Sequence, residues 1–220
     1  MKLYKIIIYF SLVILTSCNV AYVPNSINSP MLRNKGDVQV NAIVGSSGIE
    51  GQGAIAFTDR FGLIANAQYL ITKEADYTER YSLGEIGLGY TERFSDRGIF
   101  EIFTGGGIGM VPADFRDNTY DGTQTAHLNK VFIQPAIGMV NDWLDLSVAS
   151  RYSAININGE TNWFFEPAVI SKIGFKRVKF IGTMGICIPF SKYDNRTWDQ
   201  APFFISIGIH LKIGKYKGEE

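Results

Sequence analysis

Only two cysteines occur in the 220 residues, Cys18 and Cys187, too few for a disulfide framework or a Cys-based metal site. Charge is scarce as well. Asp, Glu, Lys and Arg make up 19% of the chain, against about 25% in an average soluble domain. The 21 Lys+Arg balance the 21 Asp+Glu, so no broad field of one sign exists to hold nucleic acid. Beyond Cys18 no apolar run reaches the roughly 18 residues of a transmembrane helix. These shortages exclude an acidic disordered tail, a coiled coil and a Cys-stapled miniprotein. What is abundant is glycine, with 23 residues, and aromatic side chains, at 13%.

The N-terminus reads as an export signal. Lys2 and Lys5 precede the apolar stretch from Ile6 to Leu15, which at about ten residues is too short to span a bilayer as a helix. Leu15-Thr16-Ser17-Cys18 resembles a bacterial lipobox, which implies cleavage before Cys18 and acylation of its thiol; an ordinary secretory signal with an incidental Cys is the alternative. Multiple acyl chains on Cys18 would anchor the chain stably, as one chain does not. Cys187, in an apolar strand, reads as a small core residue. The chain divides into a signal peptide (1–17), a lipid anchor and tether (18–36), a β-barrel (37–214) and a C-terminal tail (215–220).

After the tether the dominant signal is alternation. In Phe203 to Gly214, Phe203, Ile205, Ile207, Ile209, Leu211 and Ile213 share one face, and Phe204, Ser206, Gly208, His210 and Lys212 share the other. Period-two segments recur at 37–45, 51–58, 61–71, 81–93, 99–109, 130–140, 143–154, 164–174, 178–189 and 203–214. The fold class is therefore all-β, a closed antiparallel up-and-down transmembrane barrel of about ten strands, with eight or twelve as alternatives. Connections at 58–60, 94–98, 141–142 and 175–177 are short, while 46–50, 72–80, 110–129, 155–163 and 190–202 are mostly longer. Outer-membrane barrels have that asymmetry, and an even strand count predicts both chain ends on the periplasmic side, beside Cys18.

Asn158-Gly159 is a strong type I′ turn signal. A hairpin centred on it places Arg151 opposite Glu166 and Asp145 opposite Lys172, two interior charge pairs on one face, with Leu144, Leu146, Val148 and Tyr152 on the other. Glu85, Gly87 and Gly89 share a face, as do Glu101, Phe103, Gly105, Gly107 and Gly109, so glycines make room inside a narrow barrel. Aromatics gather toward strand ends, as interfacial girdles would. Pro135 and Pro167 fall inside strands, where each removes a ladder donor and predicts a bulge or local break.

The chain resembles small outer-membrane β-barrel lipoproteins of Bacteroidetes-type bacteria in Tyr22 to Asn25, Ala54 to Thr58, Phe100 to Gly109, Gln134 to Gly138 and Phe165 to Ala168. The resemblance implies the bacterial cell outer membrane as location. It also implies outer-membrane lipids and the barrel-assembly and lipoprotein-sorting machineries as partners, and it brings no catalytic residue with it.

Signals for chemistry are weak. Gly105 to Gly109 has glycine-loop composition but lies in a strand with no helix after it. Asp114, Asp117 and Asp121 lack EF-hand spacing. His127 beside them is similar in type to the surface Asp/His site of omptin-type barrel proteases, none of whose motifs match. His210 reads as a hydrogen-bonded interior histidine. No Ser-His-Asp or Cys-His order is legible, and no catalytic residue, cofactor or metal is expected. The expected function is a non-enzymatic outer-membrane barrel lipoprotein, an envelope structural component or loop-presenting surface protein whose extracellular ligand is unknown. A small pore or a lipid-binding barrel is the alternative, and a membrane-embedded hydrolase stands behind it.

Overall fold

The computed structural model describes residues 20–73, 78–112, 125–175, 177–190 and 199–213. Cys18, the signal peptide, Asp114, Asp117, Asp121 and the C-terminal tail lie outside them.

The period-two segments form ten long strands: β1 (Val38–Gly45), β2 (Gly48–Ala56), β3 (Phe61–Lys73), β4 (Thr78–Arg93), β5 (Gly98–Pro112), β6 (Thr125–Val140), β7 (Leu144–Ile157), β8 (Glu160–Phe175), β9 (Val178–Ile186) and β10 (Phe203–Ile213). Each pairs antiparallel with the next, and β10 returns to β1 through pairs such as Ile209 with Ala42. The sheet closes into a ten-stranded barrel, not one of eight or twelve, and closure removes the free edges that an open sheet would expose.

Alternation sorts the walls. In β10, Phe204, Ser206 and His210 are buried, while Phe203, Ile205, Ile207, Ile209, Leu211 and Ile213 all face outward and are exposed. The other strands repeat the division, with Val44, Ile86, Ile108, Val131, Val148 and Phe180 outside and Gln52, Glu85, Lys130 and Arg151 inside. The outer face is apolar, and the inner face combines charged and amide side chains with buried apolar clusters.

The two mouths differ less in loop length than the sequence implies. One mouth carries connections 57–60, 94–97, 141–143 and 176–177; the other carries 46–47, 74–77, 113–124, 158–159 and 187–202. The expected loops at 46–50 and 155–163 are tight turns, because the flanking strands continue to pair up to Gly45 with Gly48 and Ile157 with Glu160. Asn158 and Gly159 take φ of 51° and 89°, the left-handed pair of a type I′ turn. Connections 113–124 and 187–202 keep the second mouth the elaborated one.

Both prolines interrupt pairing without shifting it. On β6, pairing with β7 lapses after Ile133 with Tyr152 and resumes at Ala136 with Ala149 in the same register. On β8, pairing with β9 ends at Ala168 with Gly185, and beyond Pro167 it resumes between Phe165 and Ile188. The missing donors produce local breaks and no bulge.

The largest departure from expectation is at the start. Residues 20–36, read as a tether, run through the lumen, and Ala21 to Leu32 are buried without exception. Pro24 and Pro30 fix φ locally, and apart from Val20–Tyr22, which lies parallel to Asp199–Gln200, the segment forms no strand. It enters at the elaborated mouth, where Ala201 N donates to Tyr22 O at 2.8 Å and Ser47 Oγ donates to Pro24 O at 2.8 Å. It leaves at the other mouth, where Lys35 N donates to Asp59 Oδ1 at 2.9 Å and Arg33 Nη2 to Asp96 O. Gly36, at φ 86°, then turns the chain into β1. Ile27 and Met31 pack among Ile43, Ile99, Ile170 and Phe204, and Leu32 packs among Ile64, Phe103 and Phe132. Burial of each such side chain is worth about 1.5–3 kcal/mol.

Candidate functional site

The lumen is where polar side chains converge. At mid-height β7 and β8 bring Arg151 opposite Glu166, with Arg151 Nε 2.5 Å from Glu166 Oε2 and neither side chain exposed. β4 and β6 supply a second pair, Lys130 Nζ and Glu85 Oε1 at 2.6 Å. Arg151 Nη1 stands 3.8 Å from Glu85 Oε2 and joins the two. Two cations face two carboxylates, so the cluster is neutral as a whole, which the cost of burying an unpaired charge demands.

The threaded segment completes this cluster. Tyr22 Oη donates to Glu166 Oε1 at 2.7 Å and accepts from Lys130 Nζ at 3.0 Å. Asn25 Nδ2 donates to Glu85 Oε2 at 2.6 Å, Asn25 Oδ1 accepts from Lys130 at 3.1 Å, and the Asn25 carbonyl accepts from Arg151 Nη2 at 2.8 Å. Below it, Glu50 accepts from the backbone N and hydroxyl of Ser26. Asn28 Nδ2 donates to Asn66 Oδ1 at 2.8 Å, and Gln134 Nε2 donates to the Asn28 carbonyl at 2.8 Å. Glu101 holds Ser29 Oγ at 2.7 Å and Met31 N at 2.8 Å. The repeated Asn-Ser pairs at 25–26 and 28–29 therefore act as polar teeth against carboxylates on β2, β4 and β5.

The second charge pair forms differently from its sequence expectation. Asp145 stands opposite Lys172 in register, yet its ion pair is with Lys179 of β9, at 2.7 Å. The residue of β8 opposite Lys179 is Gly174, whose missing side chain leaves Lys179 a path across to Asp145 and to the Asn141 carbonyl, 2.6 Å away. Lys172 turns inward and donates to the Ser29 carbonyl at 3.0 Å. His210 Nδ1 lies 2.7 Å from Asn41 Oδ1 inside the wall, and His127 faces outward. Gly105 to Gly109 lie within β5, Gly105 opposite Gly87.

Sequence reasoning placed Glu85 and Glu101 inside but missed Lys130, Glu50 and every residue of the threaded segment. Lys130 was legible from parity, since it shares the inward face of β6 with Phe132 and Gln134. Outside the barrel, an apolar depression of about 680 Å³ is bordered by Ile86, Leu88, Val131, Ile133, Tyr152 and Trp163 and lies against Gly105 and Gly106. No protein-family model matches the chain, and no curated protein matches it either.

Proposed function

We propose that the chain is a bacterial outer-membrane β-barrel lipoprotein, a non-enzymatic component of the envelope that presents its elaborated mouth to a compartment and conducts nothing through its lumen. The observation that carries this reading is the distribution of sides: large apolar residues cover the outside of all ten strands, while nearly all the charges and amides of the wall point inward, among buried apolar clusters. Soluble domains keep exposed apolar patches to roughly a few hundred Å², and a belt around an entire barrel suits hydrocarbon. At about 3.3 Å per residue and a tilt near 40°, β3 to β8, with 13 to 16 residues each, climb about 33–40 Å, more than an apolar band of about 25 Å, and the shorter β1, β2 and β9, with 8 or 9 residues, climb about 20–23 Å. Outward aromatics cluster near both rims, with Phe61, Phe94, Trp143 and Phe175 toward one and Tyr69, Trp163, Phe190 and Phe203 toward the other, as interfacial girdles do.

The lipobox-like Leu15 to Cys18 supports acylation of Cys18, with outer-membrane lipids as surroundings and the barrel-assembly and lipoprotein-sorting machineries as partners in biogenesis. The threaded segment argues against the pore alternative, because it occupies the space a solute would need. Two measurements test this function. The unboiled protein should migrate differently from the boiled one on a gel and should fractionate with outer membranes; identical migration or a soluble fraction would overturn the barrel in the membrane. In planar bilayers the intact protein should give no steady ion conductance, and steady conductance would return the pore to first place.

A further inference from the structure

The threaded segment reverses where the N-terminus belongs. Val20–Tyr22 pairs with Asp199–Gln200 in the connection between β9 and β10, at the elaborated mouth, whereas Ile213 ends β10 opposite Val38 at the other mouth. The chain thus crosses the barrel once inside the lumen before it begins the ten crossings of the wall. An even number of wall crossings alone would put both ends at one mouth; the added lumenal crossing separates them.

We propose that the lumenal segment fixes everything upstream of Val20 at the elaborated mouth, so that an acyl group on Cys18 inserts into the leaflet at that mouth, opposite the barrel's C-terminal end. This rests on the outer-membrane lipoprotein reading above. Only Asn19 lies between Cys18 and Val20, and two chain steps reach at most about 7 Å, against a hydrocarbon core about 30 Å thick. The anchor therefore cannot reach the far leaflet unless the segment slides. Sliding would break the Tyr22, Asn25, Ser26 and Ser29 bonds together and leave Glu50, Glu85 and Glu101 buried with fewer partners.

The test uses the full chain in an outer-membrane host, in a Cys187→Ser background, with every variant first shown to be heat-modifiable. A protease recognition sequence is inserted between Asn19 and Val20. Ser46→Cys reports on the elaborated mouth and Asp96→Cys on the other. An impermeant maleimide and the protease are applied to intact and to permeabilised cells. The protease site and the Ser46→Cys thiol should react in the same cell state and the Asp96→Cys thiol in the other, whichever way the barrel faces. A protease site that reacts with Asp96→Cys instead would overturn the proposal. Fatty-acid labelling separates the two readings: cutting should remove the label from the barrel, and a chain that never carries label but keeps the same cutting pattern overturns the anchor while threading stands. Both thiols reacting in intact cells would sink the membrane reading and the proposal together. A second variant avoids the insertion: Val20→Cys with Asp199→Cys should form a reducible crosslink on oxidation, and its absence in the heat-modifiable protein would overturn the threading.

Discussion

Arg151 and Glu166 face each other across β7 and β8 with Nε and Oε2 2.5 Å apart and no exposed side-chain surface on either. Arg151→Ala or Glu166→Ala strands a charge and should cost on the order of 3 kcal/mol, and the double change should cost less than the two single losses together. Arg60 and Glu92 supply the control, an ion pair at 3.6 Å whose side chains are 64% and 41% exposed, with an expected coupling of about 0–1 kcal/mol. Denaturant unfolding in lipid vesicles measures both cycles. Equal, near-zero couplings would mean that the lumen is as well hydrated as the surface.

Tyr22 joins the threaded segment to that pair, since its hydroxyl donates to Glu166 and accepts from Lys130. Tyr22→Phe keeps the ring against Phe164, 5.2 Å away between centroids, and removes only the hydroxyl. Two charged partners lose a bond each, so the unfolding midpoint should fall by the equivalent of about 1–3 kcal/mol. A midpoint unchanged within error would show that the segment does not occupy the lumen in the folded protein.

The hairpin turn offers a backbone test. Gly159 at φ 89° sits where a Cβ is penalised, so Gly159→Ala should destabilise by about 1–2 kcal/mol. Asn158→Gly, at φ 51°, should change stability by less than about 0.5 kcal/mol. If the two substitutions are equivalent, the turn is not type I′.

Anchoring can be read directly. Cys18→Ala should abolish fatty-acid incorporation and change precursor processing, while leaving heat-modifiability intact. Unchanged labelling in that variant would remove Cys18 as the acylated residue.

Much of the wall was legible because the pleat converts sequence parity into sides. Phe203 to Ile213 shows the two faces of β10 without reference to any other strand, and Asn158-Gly159 alone fixes the register that sets Arg151 against Glu166. The lumenal segment carries no such period. Its amides and hydroxyls between Pro24 and Pro30 resemble a solvated linker, and their partners Glu50, Glu85 and Glu101 lie on three different strands. Only closure of the barrel brings those carboxylates to one axis, and a local pattern contains nothing about closure. The same limit explains Asp145: register names its neighbour Lys172, but Gly174 and the Ser29 carbonyl decide which lysine arrives.

The outward face allows a test of the membrane itself. Ile207 lies midway along β10, 67% exposed, opposite Val44 and Gly182. In water, Ile207→Lys would replace an exposed apolar side chain with a soluble one and change stability by less than about 0.5 kcal/mol. In a bilayer the same lysine lies near the midplane and should cost about 2–4 kcal/mol. Ile213→Lys at the rim, where Ile213 is 58% exposed, should cost only about 0–1 kcal/mol because the side chain can reach the interface. The two sites are similarly exposed, so their difference isolates depth in hydrocarbon from loss of packing. Reversible unfolding from vesicles measures both, and equal costs at Ile207 and Ile213 would mean that no depth gradient surrounds the barrel.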